Sequence, residues 1–435
     1  MAAQANKPFA MNQIDPTDMD RDVFVAELDR VLRDTAPDFD WVRAKSLGRQ
    51  SGHVPNPDPW SGPAGMFPSW LTDRLQGEPA PAIARPIAPQ ELLPGYDAVI
   101  DAPIAQQVRG RLLDEFFPKT LSVGPVFVLD GGASTHFFEE HQSLHWTDDG
   151  IIPNLTPAHS IFAHRYLRDL EPKHLPGHSL LAVTPASGIF VHWMLDTLPQ
   201  ILQLIDSGVK LGQYDHFVFN EATSRAHRQT LDALGIAPEQ VHSCKIDGKL
   251  LRTDAFSYLT MPRRLTATNP RNYELLRAFF GATPAKRPSR RLYLSRANAK
   301  RRKILNEPEL IDRLQTLGFE AICPENYSLR EQAAIMAEAS HVISPHGAGM
   351  CNLVFAPPGC QVLELFGAYI TGGYWVICNQ MGHRYHALEC MGGKGRYLSA
   401  ADIQKIGGFM AVNGHDITVP IDDTLAFIKE HLLSP

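Results

Sequence analysis

Short apolar runs alternate with amphipathic stretches along the second half of the chain. RLYL, HVIS and QVLELF have the length of buried strands, and they alternate with stretches such as EPELIDRLQTLG, in which apolar residues recur three and four positions apart. Runs of the first kind are typical of strands, and stretches of the second kind are typical of helices. From 286 to about 390 the pattern therefore predicts five strands and four helices, a doubly wound α/β unit.

The same alternation, less regular, precedes this unit. A strand at LLAV (180–183) is followed by a helix that ends at Gly208, and a polar, proline-containing stretch at about 262–290 indicates a connection between two units. Strands joined by helices form parallel sheets, so a second parallel sheet is expected here. The other elements expected in this half are a strand HFVF (216–219), a helix SRAHRQTLDALG (224–235) and a strand QVHSC (240–244).

Polar and proline-rich sequence precedes both units. An amphipathic helix is expected around Val23–Leu32, and ten prolines lie between Pro55 and Pro94. Prolines at that density oppose helices and central strands, so this segment is expected to be an irregular arm. The pattern divides the chain into an N-terminal extension with the Pro-rich arm (1–94), a first α/β domain (95–285), a second α/β domain (286–415) and a C-terminal helix (416–435).

Composition narrows the class of protein. The 435 residues are 44% hydrophobic and 20% charged, with a net charge of −6, which is typical of a soluble globular protein and gives no basic footprint for nucleic acid. No apolar run approaches the roughly 18 residues of a membrane span, and the N-terminus lacks the regions of a signal peptide. The six cysteines are scattered without a CxxC pair, so reduced thiols in a cytoplasmic protein are expected.

A glycine-containing turn follows the strand HVIS. The segment HVISPHGAGMCNLVFAPPG places His346, Gly347, Ala348 and Gly349 between a strand and a helix. Ligands of open α/β sheets bind at the carboxyl ends of strands, and a helix N-terminus attracts negative charge. These are the parts of a phosphate or diphosphate site, although a tight turn without a ligand fits the local pattern equally well. The segment is neither GxGxxG nor a P-loop.

Charged residues stand at the ends of two other expected strands. Ser295 and Arg296 close RLYLSR, and Arg301–Lys303 follow shortly afterwards. An arginine at a strand end can pair with phosphate oxygens, whereas Arg301–Lys303 are also explained as a solvated loop. Glu364 lies near the end of QVLELF. Its carboxylate could accept hydrogen bonds from a ribose or serve as a structural charge partner.

Two histidine-containing pairs with a spacing of four residues lie in the first half. His192 and Asp196 in FVHWMLDTLPQ share one face of the expected helix. Either could take a proton from an incoming hydroxyl, and a buried polar pair is the alternative; two ligands are too few for a metal site. His141 and His145 in HFFEEHQSLHW lack the Glu of HExxH and a third ligand. Packing or surface exposure is expected there instead of metal binding.

The ordered set HWMLDTLP, YLSR with RRKILNEPEL, SLREQ, and ISPHGAGMCNLVFAPPG followed by VLELF resembles the family 61 glycosyltransferases over roughly residues 155–390. That family includes plant xylosyl- and arabinosyltransferases and animal O-linked N-acetylglucosaminyltransferases. The resemblance implies an α/β fold of the GT-B type, with two facing Rossmann-like domains and an active site in the cleft between them. It also implies an inverting transfer from a nucleotide-sugar, typically a UDP-sugar, without a cofactor or an essential metal.

The resemblance also implies roles for the residues named above. Asp196 is the first choice for the base and His192 the second, while Arg296 and the N–H groups of the turn stabilise the departing UDP. Ser328, Glu331 and Gln332 are candidates for uridine or ribose contacts, although a capping box explains Ser328 and Glu331 without a ligand. The donor-binding residues expected are Ser295, Arg296, Glu331, His346, Gly347, Ala348, Gly349, Asn352 and Glu364, with Asn352 either facing the pocket or packing.

The setting of the reaction is an extrapolation from the same resemblance. Well-known members carry a membrane anchor, and this sequence shows none, so a bacterial, cytoplasmic protein, peripheral to the inner membrane at most, is expected to act in surface polysaccharide synthesis. Its partners would be a nucleotide-sugar and a glycan acceptor, with no nucleic acid and no integral membrane segment; homo-oligomerisation stays open. The alternatives are a non-catalytic nucleotide-sugar-binding scaffold subunit, which would tolerate loss of His192 or Asp196, and a nucleotide-dependent oxidoreductase, which would require GxGxxG.

Overall fold

The computed structural model describes most of the chain from residue 170 onwards and separate strands before it. The helix expected around Val23–Leu32 and most of the Pro-rich arm lie outside the described residues, as does His141. The described ranges are 83–86, 96–99, 105–106, 120–123, 127–139, 142–147, 150–151, 170–184, 186–259, 270–367, 371–390 and 416–434.

Seventeen strands are present in these ranges. The first twelve are β1 Ile83–Pro86, β2 Tyr96–Val99, β3 Ala105–Gln106, β4 Thr120–Val123, β5 Phe127–Gly131, β6 Ser134–Glu139, β7 Gln142–Thr147, β8 Gly150–Ile151, β9 Lys173–Leu181, β10 His216–Phe219, β11 Val241–Ser243 and β12 Leu250–Leu259. The last five are β13 Arg290–Leu294, β14 Glu320–Ile322, β15 Ala339–Pro345, β16 Gln361–Phe366 and β17 Arg384–Glu389.

The helices of the same ranges include both α-helical and irregular turns. Helix α1 is continuous from Phe190–His192 through a π-helical turn, Trp193–Thr197, to Leu198–Asp206. The others are α2 Arg225–Ala233, α3 Cys244–Asp247, α4 Pro270–Phe280, α5 Glu307–Gln315, α6 Leu329–Ala337, α7 Gly373–Met381 and α8 Ile421–Phe427, which continues as a π-helical turn Ile428–Leu432. Short 3₁₀ helices are Leu211–Gln213, Pro238–Gln240, Pro324–Asn326 and Ala348–Phe355.

The second half forms the parallel sheet that its sequence predicts. Its strand order is β14-β13-β15-β16-β17-β3, and every pair is parallel. The five expected strands and the four helical connections between them are all present, so this prediction is confirmed. Among these five strands the order is 2-1-3-4-5, whose topological switch point lies between β13 and β15. The sixth strand, β3, comes from far upstream and extends the sheet at its edge.

The first half contains a mixed sheet, so the prediction of a parallel one is correct only in part. Strands β11, β10, β9 and β12 are parallel, in that order. Beyond β12 the sheet continues antiparallel, through the hairpin formed by β6 and β7. Residues 136–139 and 142–146 of HFFEEHQSLHW lie in these two strands, and β12 itself has no counterpart among the expected elements. Among the described strands, β1, from the Pro-rich segment, pairs only with β5, in antiparallel orientation, as suits a proline-containing edge strand.

Helix α4 corrects the expected connection at 262–290. Residues 270–280 are helical, with Pro270 at the first position and Tyr273, Leu276 and Phe280 buried on one face. The Tyr273 hydroxyl donates a hydrogen bond to Gln380 Oε1 in α7 at 2.6 Å. One apolar cluster includes this face of α4 together with buried residues of both sheets, so α4 packs as part of the core and is not a linker.

The architecture is α/β with parallel-rich sheets, which is compatible with a GT-B-like fold. All six cysteines are free, and five of them are buried. Among the described residues, no helix has the length and apolar character needed to cross a membrane. The domain boundaries set at 94, 285 and 415 remain predictions.

Candidate functional site

The switch point of the second sheet brings the two expected donor-site segments together. Strand β13 ends at Leu294 and β15 at Pro345, and these two strands are hydrogen-bonded neighbours. Ser295 and Arg296 therefore leave the sheet at the same edge as His346 and Gly347. In open α/β sheets a crevice opens at this position because the connections on either side run to opposite faces.

Arg296 and Gly347 fit together at this edge. A Cβ atom built on Gly347 would overlap the Arg296 guanidinium. The φ angle of Gly347 is 177°, an extended conformation that any residue adopts. Glycine is therefore needed here for space and not for backbone conformation, and the space that it leaves is filled by a cationic group. By contrast, a Cβ on Gly349 would meet Pro324 Cγ at 3.6 Å, an ordinary contact.

The loop after β13 holds the Arg296 guanidinium in place. Nη2 donates to the carbonyl oxygen of Arg301 at 2.9 Å, and Nε donates to that of Arg302 at 3.3 Å. The Arg296 backbone N–H donates to Glu307 Oε1 at 3.1 Å. Burial lowers the pKa of Arg296 from its ordinary value, but arginine titrates so far above neutral pH that the group stays charged. A fixed cation thus lies at the switch point.

Glu307 is a site residue that the sequence interpretation missed. Besides the Arg296 N–H, its Oε1 atom accepts a hydrogen bond from the buried Tyr293 hydroxyl at 2.9 Å. The sequence shows Glu307 only as an acidic residue in the first turn of α5, within NEPEL. A carboxylate at that position interacts favourably with the helix dipole whether or not it belongs to a site. Its position beside the strand end depends on the packing of α5 and was not readable from that signal.

The helix after the glycine turn is a 3₁₀ helix, Ala348–Phe355. Its first N–H groups lack intrahelical acceptors, as at every helix start, and so can bind an anion at the crevice. Arg277 of α4 hydrogen-bonds the carbonyl groups at the end of this helix. Its Nε donates to Val354 O at 2.7 Å, and its Nη2 donates to O of the C-cap residue Ala356 at 2.6 Å. The segment is therefore anchored at its far end while its start faces the switch point.

His346 and Glu364 form a buried pair beneath the turn. His346 Nδ1 donates to Glu364 Oε1 at 2.5 Å, and the Tyr385 hydroxyl donates to Glu364 Oε2 at 2.5 Å. The Glu364 side chain is 0% exposed. This position argues against the direct ribose contact expected for Glu364, because a fully buried carboxylate with both oxygens bonded is not presented to a ligand. The sequence around Tyr385, RYHALE, has no feature that would have identified this tyrosine as a partner of Glu364.

Three of the other expected donor-site residues, Ser295, Glu331 and Asn352, form hydrogen bonds within the protein. Asn352 Nδ2 donates to Gln332 Oε1 at 2.8 Å, and both residues are buried, so Asn352 packs. Ser328 and Glu331 form the expected capping box, with Ser328 N–H bonded to Glu331 Oε2 at 2.7 Å. These bonds account for Glu331 without a ligand. Ser295 is buried, and its Oγ accepts from the Ala297 N–H at 3.2 Å.

His192 and Asp196 are hydrogen-bonded across the π-helical turn of α1. His192 Nδ1 donates to Asp196 Oδ2 at 2.7 Å; the Asp196 side chain is 0% exposed and that of His192 18%. Of the two, only His192 reaches solvent, so the geometry favours the reverse of the expected ranking, with His192 as base and Asp196 orienting it. Cα atoms of Phe190–His192 come within 8 Å of those of Ala348–Phe355, so the start of α1 lies beside the 3₁₀ helix that follows the glycine turn.

His145 is not part of a helical pair. It lies in β7 opposite His136 of β6, and the two Nδ1 atoms are 2.9 Å apart in a fully buried contact. This confirms packing for His145, the alternative preferred over metal binding. In the ranges described, no three or more His, Cys, Asp or Glu side chains are grouped so as to hold a metal ion.

Comparison with known proteins finds a match in the part of the chain that contains these residues. The family model described as Glycosyltransferase 61 matches residues 190–363, from the start of α1 into β16. An EGF domain-specific O-linked N-acetylglucosamine transferase of Drosophila melanogaster is 30% identical over 112 residues, covering 24% of this chain and 21% of that protein. Beta-1,2-xylosyltransferase RCN11 of Oryza sativa subsp. japonica is 30% identical over 103 residues, covering 22% and 19%. The matched part of the chain thus spans about a fifth of each relative's length.

Proposed function

We propose, from the premise that residues 190–363 form a glycosyltransferase 61 domain, that this protein transfers a sugar from a UDP-sugar to a hydroxyl of a glycan or glycoconjugate, with inversion at the anomeric carbon. The family match and the names of both relatives support the coarser statement, a glycosyltransferase. The donor nucleotide, the stereochemistry and the acceptor are the parts that we add.

The observation that carries the proposal is the fit of Arg296 into the space beside Gly347 at the switch point. A charged guanidinium and the N–H groups at the start of Ala348–Phe355 together form an anion site with fixed donors. When the bond to the sugar breaks, the leaving diphosphate gains negative charge. Donors already aimed at that charge lower the barrier without reorganising.

His192 supplies the base in this mechanism. With Nδ1 donating to Asp196, the ring can receive a proton on Nε2, and the buried carboxylate stabilises the imidazolium that results. The role of proton acceptor is given to His192 because its side chain is the more exposed of the pair, 18% against 0%. Asp196 then acts through His192, as the orienting member of the dyad.

The transfer is a single displacement. A lone pair of the acceptor oxygen forms the new bond to the anomeric carbon, from the face opposite the diphosphate. The bond between that carbon and the diphosphate oxygen breaks, and its electron pair leaves with UDP. The acceptor's hydroxyl proton moves to His192 and from there to solvent. We propose that Arg296 and the backbone N–H groups supply the positive charge that this step needs, so that no metal ion is required.

The biological setting is proposed on the sequence resemblance alone. We place the reaction in the cytoplasm or at the inner face of a bacterial membrane, with an intermediate of a surface polysaccharide as the acceptor.

The test is a set of calorimetric titrations of metal-free protein with UDP, GDP, CMP and NAD. Selective UDP binding is expected, with affinity about tenfold or more weaker in Arg296→Ala, since a charge-assisted bond is lost. The matched control is Arg313→Ala, because Arg313 forms an exposed ion pair with Asp422 at 3.0 Å. Selective binding of NAD, or equal UDP affinity in wild type and Arg296→Ala, would contradict the proposal. A turnover screen of UDP-sugars follows a positive result.

A further inference from the structure

Three polar side chains meet on one face of the second sheet, close to the carboxyl end of β15. Ser344 lies opposite Glu364 in the ladder between β15 and β16, and His346 is two residues further on, still bonded through its N–H to Leu365 O at 2.9 Å. Glu364 lies opposite Ala387 of β17, and Tyr385 is two residues before it. Because side chains alternate between faces, His346, Glu364 and Tyr385 share one.

The hydrogen bonds of Glu364 determine which nitrogen of His346 carries a proton. A fully buried carboxylate is costly unless both oxygens accept hydrogen bonds, and here one accepts from Tyr385 and the other from His346 Nδ1. Nδ1 must therefore be protonated. Any hydrogen bond between the ring and a bound sugar nucleotide is then made by Nε2.

The surroundings decide whether Nε2 donates or accepts. Burial lowers the pKa of His346 from its ordinary value; Glu364 opposes this, and the nearby Arg296 and Arg302 add to it. The Tyr374 ring, 5.4 Å away between centroids, adds no charge near neutral pH, because burial raises its pKa. A neutral ring protonated on Nδ1 presents a lone pair at Nε2. It cannot donate to a phosphate oxygen, but it can accept from a hydroxyl.

We propose that Glu364, held by Tyr385, is a positioning residue that keeps His346 protonated on Nδ1, so that Nε2 accepts a hydrogen bond from a hydroxyl of the sugar nucleotide. The hydroxyl belongs to the ribose or to the transferred sugar. The ligand rests on the proposed function, whereas the protonation state of His346 does not. Of the two roles that the sequence left open for Glu364, a ribose contact and a structural partner, the proposal selects the structural one, and it gives His346 a hydroxyl as its ligand.

The first experiment measures the protonation state directly, without a ligand. In protein labelled with ¹⁵N-histidine, the two ring nitrogens of each residue have shifts that report which of them carries the proton, and His346→Gln assigns the signals. The wild type is expected to show Nδ1–H. In Glu364→Gln the Tyr385 hydroxyl donates to the amide oxygen, which turns the NH₂ group toward His346, so the proton is expected to move to Nε2. A wild-type ring protonated on Nε2, or no change in Glu364→Gln, would overturn the proposal.

Tyr385→Phe tests the role of the hydroxyl. It removes one bond to Glu364, and His346 is expected to stay protonated on Nδ1 while its signal broadens. The matched control is Tyr273→Phe, which removes another buried tyrosine hydroxyl, bonded to Gln380 at 2.6 Å. That variant should leave the His346 signals unchanged. Equal effects of the two variants would mean that general loosening, and not this hydrogen bond, moves His346.

The ligand experiment distinguishes the two hydroxyl sources. UDP, 2′-deoxy-UDP, UDP-N-acetylglucosamine and UDP-xylose are titrated into wild type and Glu364→Gln. A ribose contact predicts that UDP binds the wild type about tenfold more tightly than 2′-deoxy-UDP, and that the variant loses this preference. A sugar contact predicts that only the UDP-sugars lose affinity. If the wild type binds all four and the variant binds each equally well, the positioning role is wrong. If the wild type binds none of the four, the proposed function is wrong. The protonation state of His346 is still decided by the first experiment, which uses no ligand.

Discussion

The guanidinium of Arg296 occupies the volume into which a side chain on Gly347 would project. The two residues are 51 positions apart in the sequence and meet only because β13 and β15 are neighbours in the sheet. The position of the Arg296 guanidinium therefore requires glycine at 347, and this can be tested by changing the glycine alone.

Gly347→Ala should weaken UDP binding about tenfold or more, because the added methyl displaces the Arg296 guanidinium and its charge-assisted bonds. Calorimetric titration with UDP measures the loss, and thermal melting should show a smaller change. Gly349→Ala is the matched control, since its Cβ meets Pro324 at an ordinary distance. If both variants bind UDP equally well, the fit at Gly347 does not shape the site.

His192→Gln should lower kcat by about 10²-fold or more, the contribution of a general base, and leave UDP affinity nearly unchanged. Asp196→Asn should lower kcat less, because His192 keeps its position but loses the charge that stabilises its protonated form. Steady-state kinetics with a turned-over UDP-sugar give kcat, and calorimetry gives the donor affinity. A larger effect for Asp196→Asn, or a collapse of donor affinity in either variant, would reverse or remove these assignments.

Arg277→Lys should destabilise the protein by about 1.5–3 kcal/mol, because lysine cannot bond both Val354 O and Ala356 O. The loss loosens the far end of Ala348–Phe355, so a modest decrease in UDP affinity should accompany it. Urea denaturation at neutral pH measures the free energy of unfolding. Arg313→Lys serves as the exposed control. Equal stability of the two variants would show that these carbonyl bonds contribute nothing net.

Acidification should destabilise the first sheet through the buried pair His136 and His145. Burial lowers the pKa of His136 from 6.5 to about 3 and that of His145 well below its ordinary value. Between about pH 6.5 and pH 3 the unfolded chain binds protons that the folded His136 does not. The free energy of unfolding must therefore fall as the pH falls, by up to about 1.4 kcal/mol per pH unit for His136 alone.

Urea denaturation at a series of pH values from 7 down to about 4 measures this slope. His136→Gln removes the titrating group from the Ser134 and Thr253 bonds that hold it. That variant should be less stable at pH 7 but should lose less stability on acidification. An acid slope as steep as that of the wild type would show that other groups control the acid response.

Local pattern determined most of the second half of this protein. Strand runs such as HVIS, the helices between them and the capping box of Ser328 and Glu331 depend on residues close together in the chain, and all appear as predicted. The donor-site candidates Arg296 and Gly347 were also found from sequence, because strand ends before helices carry a local signature. The same reasoning missed α4 and β12, whose packing and pairings join distant segments. It also missed the pairing of β6 with β7, although these strands are close in the chain.

Only the tertiary structure decided which groups each polar residue contacts and how far it is exposed. The spacing of four residues placed His192 and Asp196 on one helix face, but burial on one side of that face decided which of them reaches solvent. Both oxygens of Glu364 accept hydrogen bonds within the protein, because His346 and Tyr385, which lie on either side of its strand, each donate to one of them. The sequence determines which chemical groups are available and in what local geometry. Their exposure and hydrogen-bond partners depend on contacts between segments that no local period encodes.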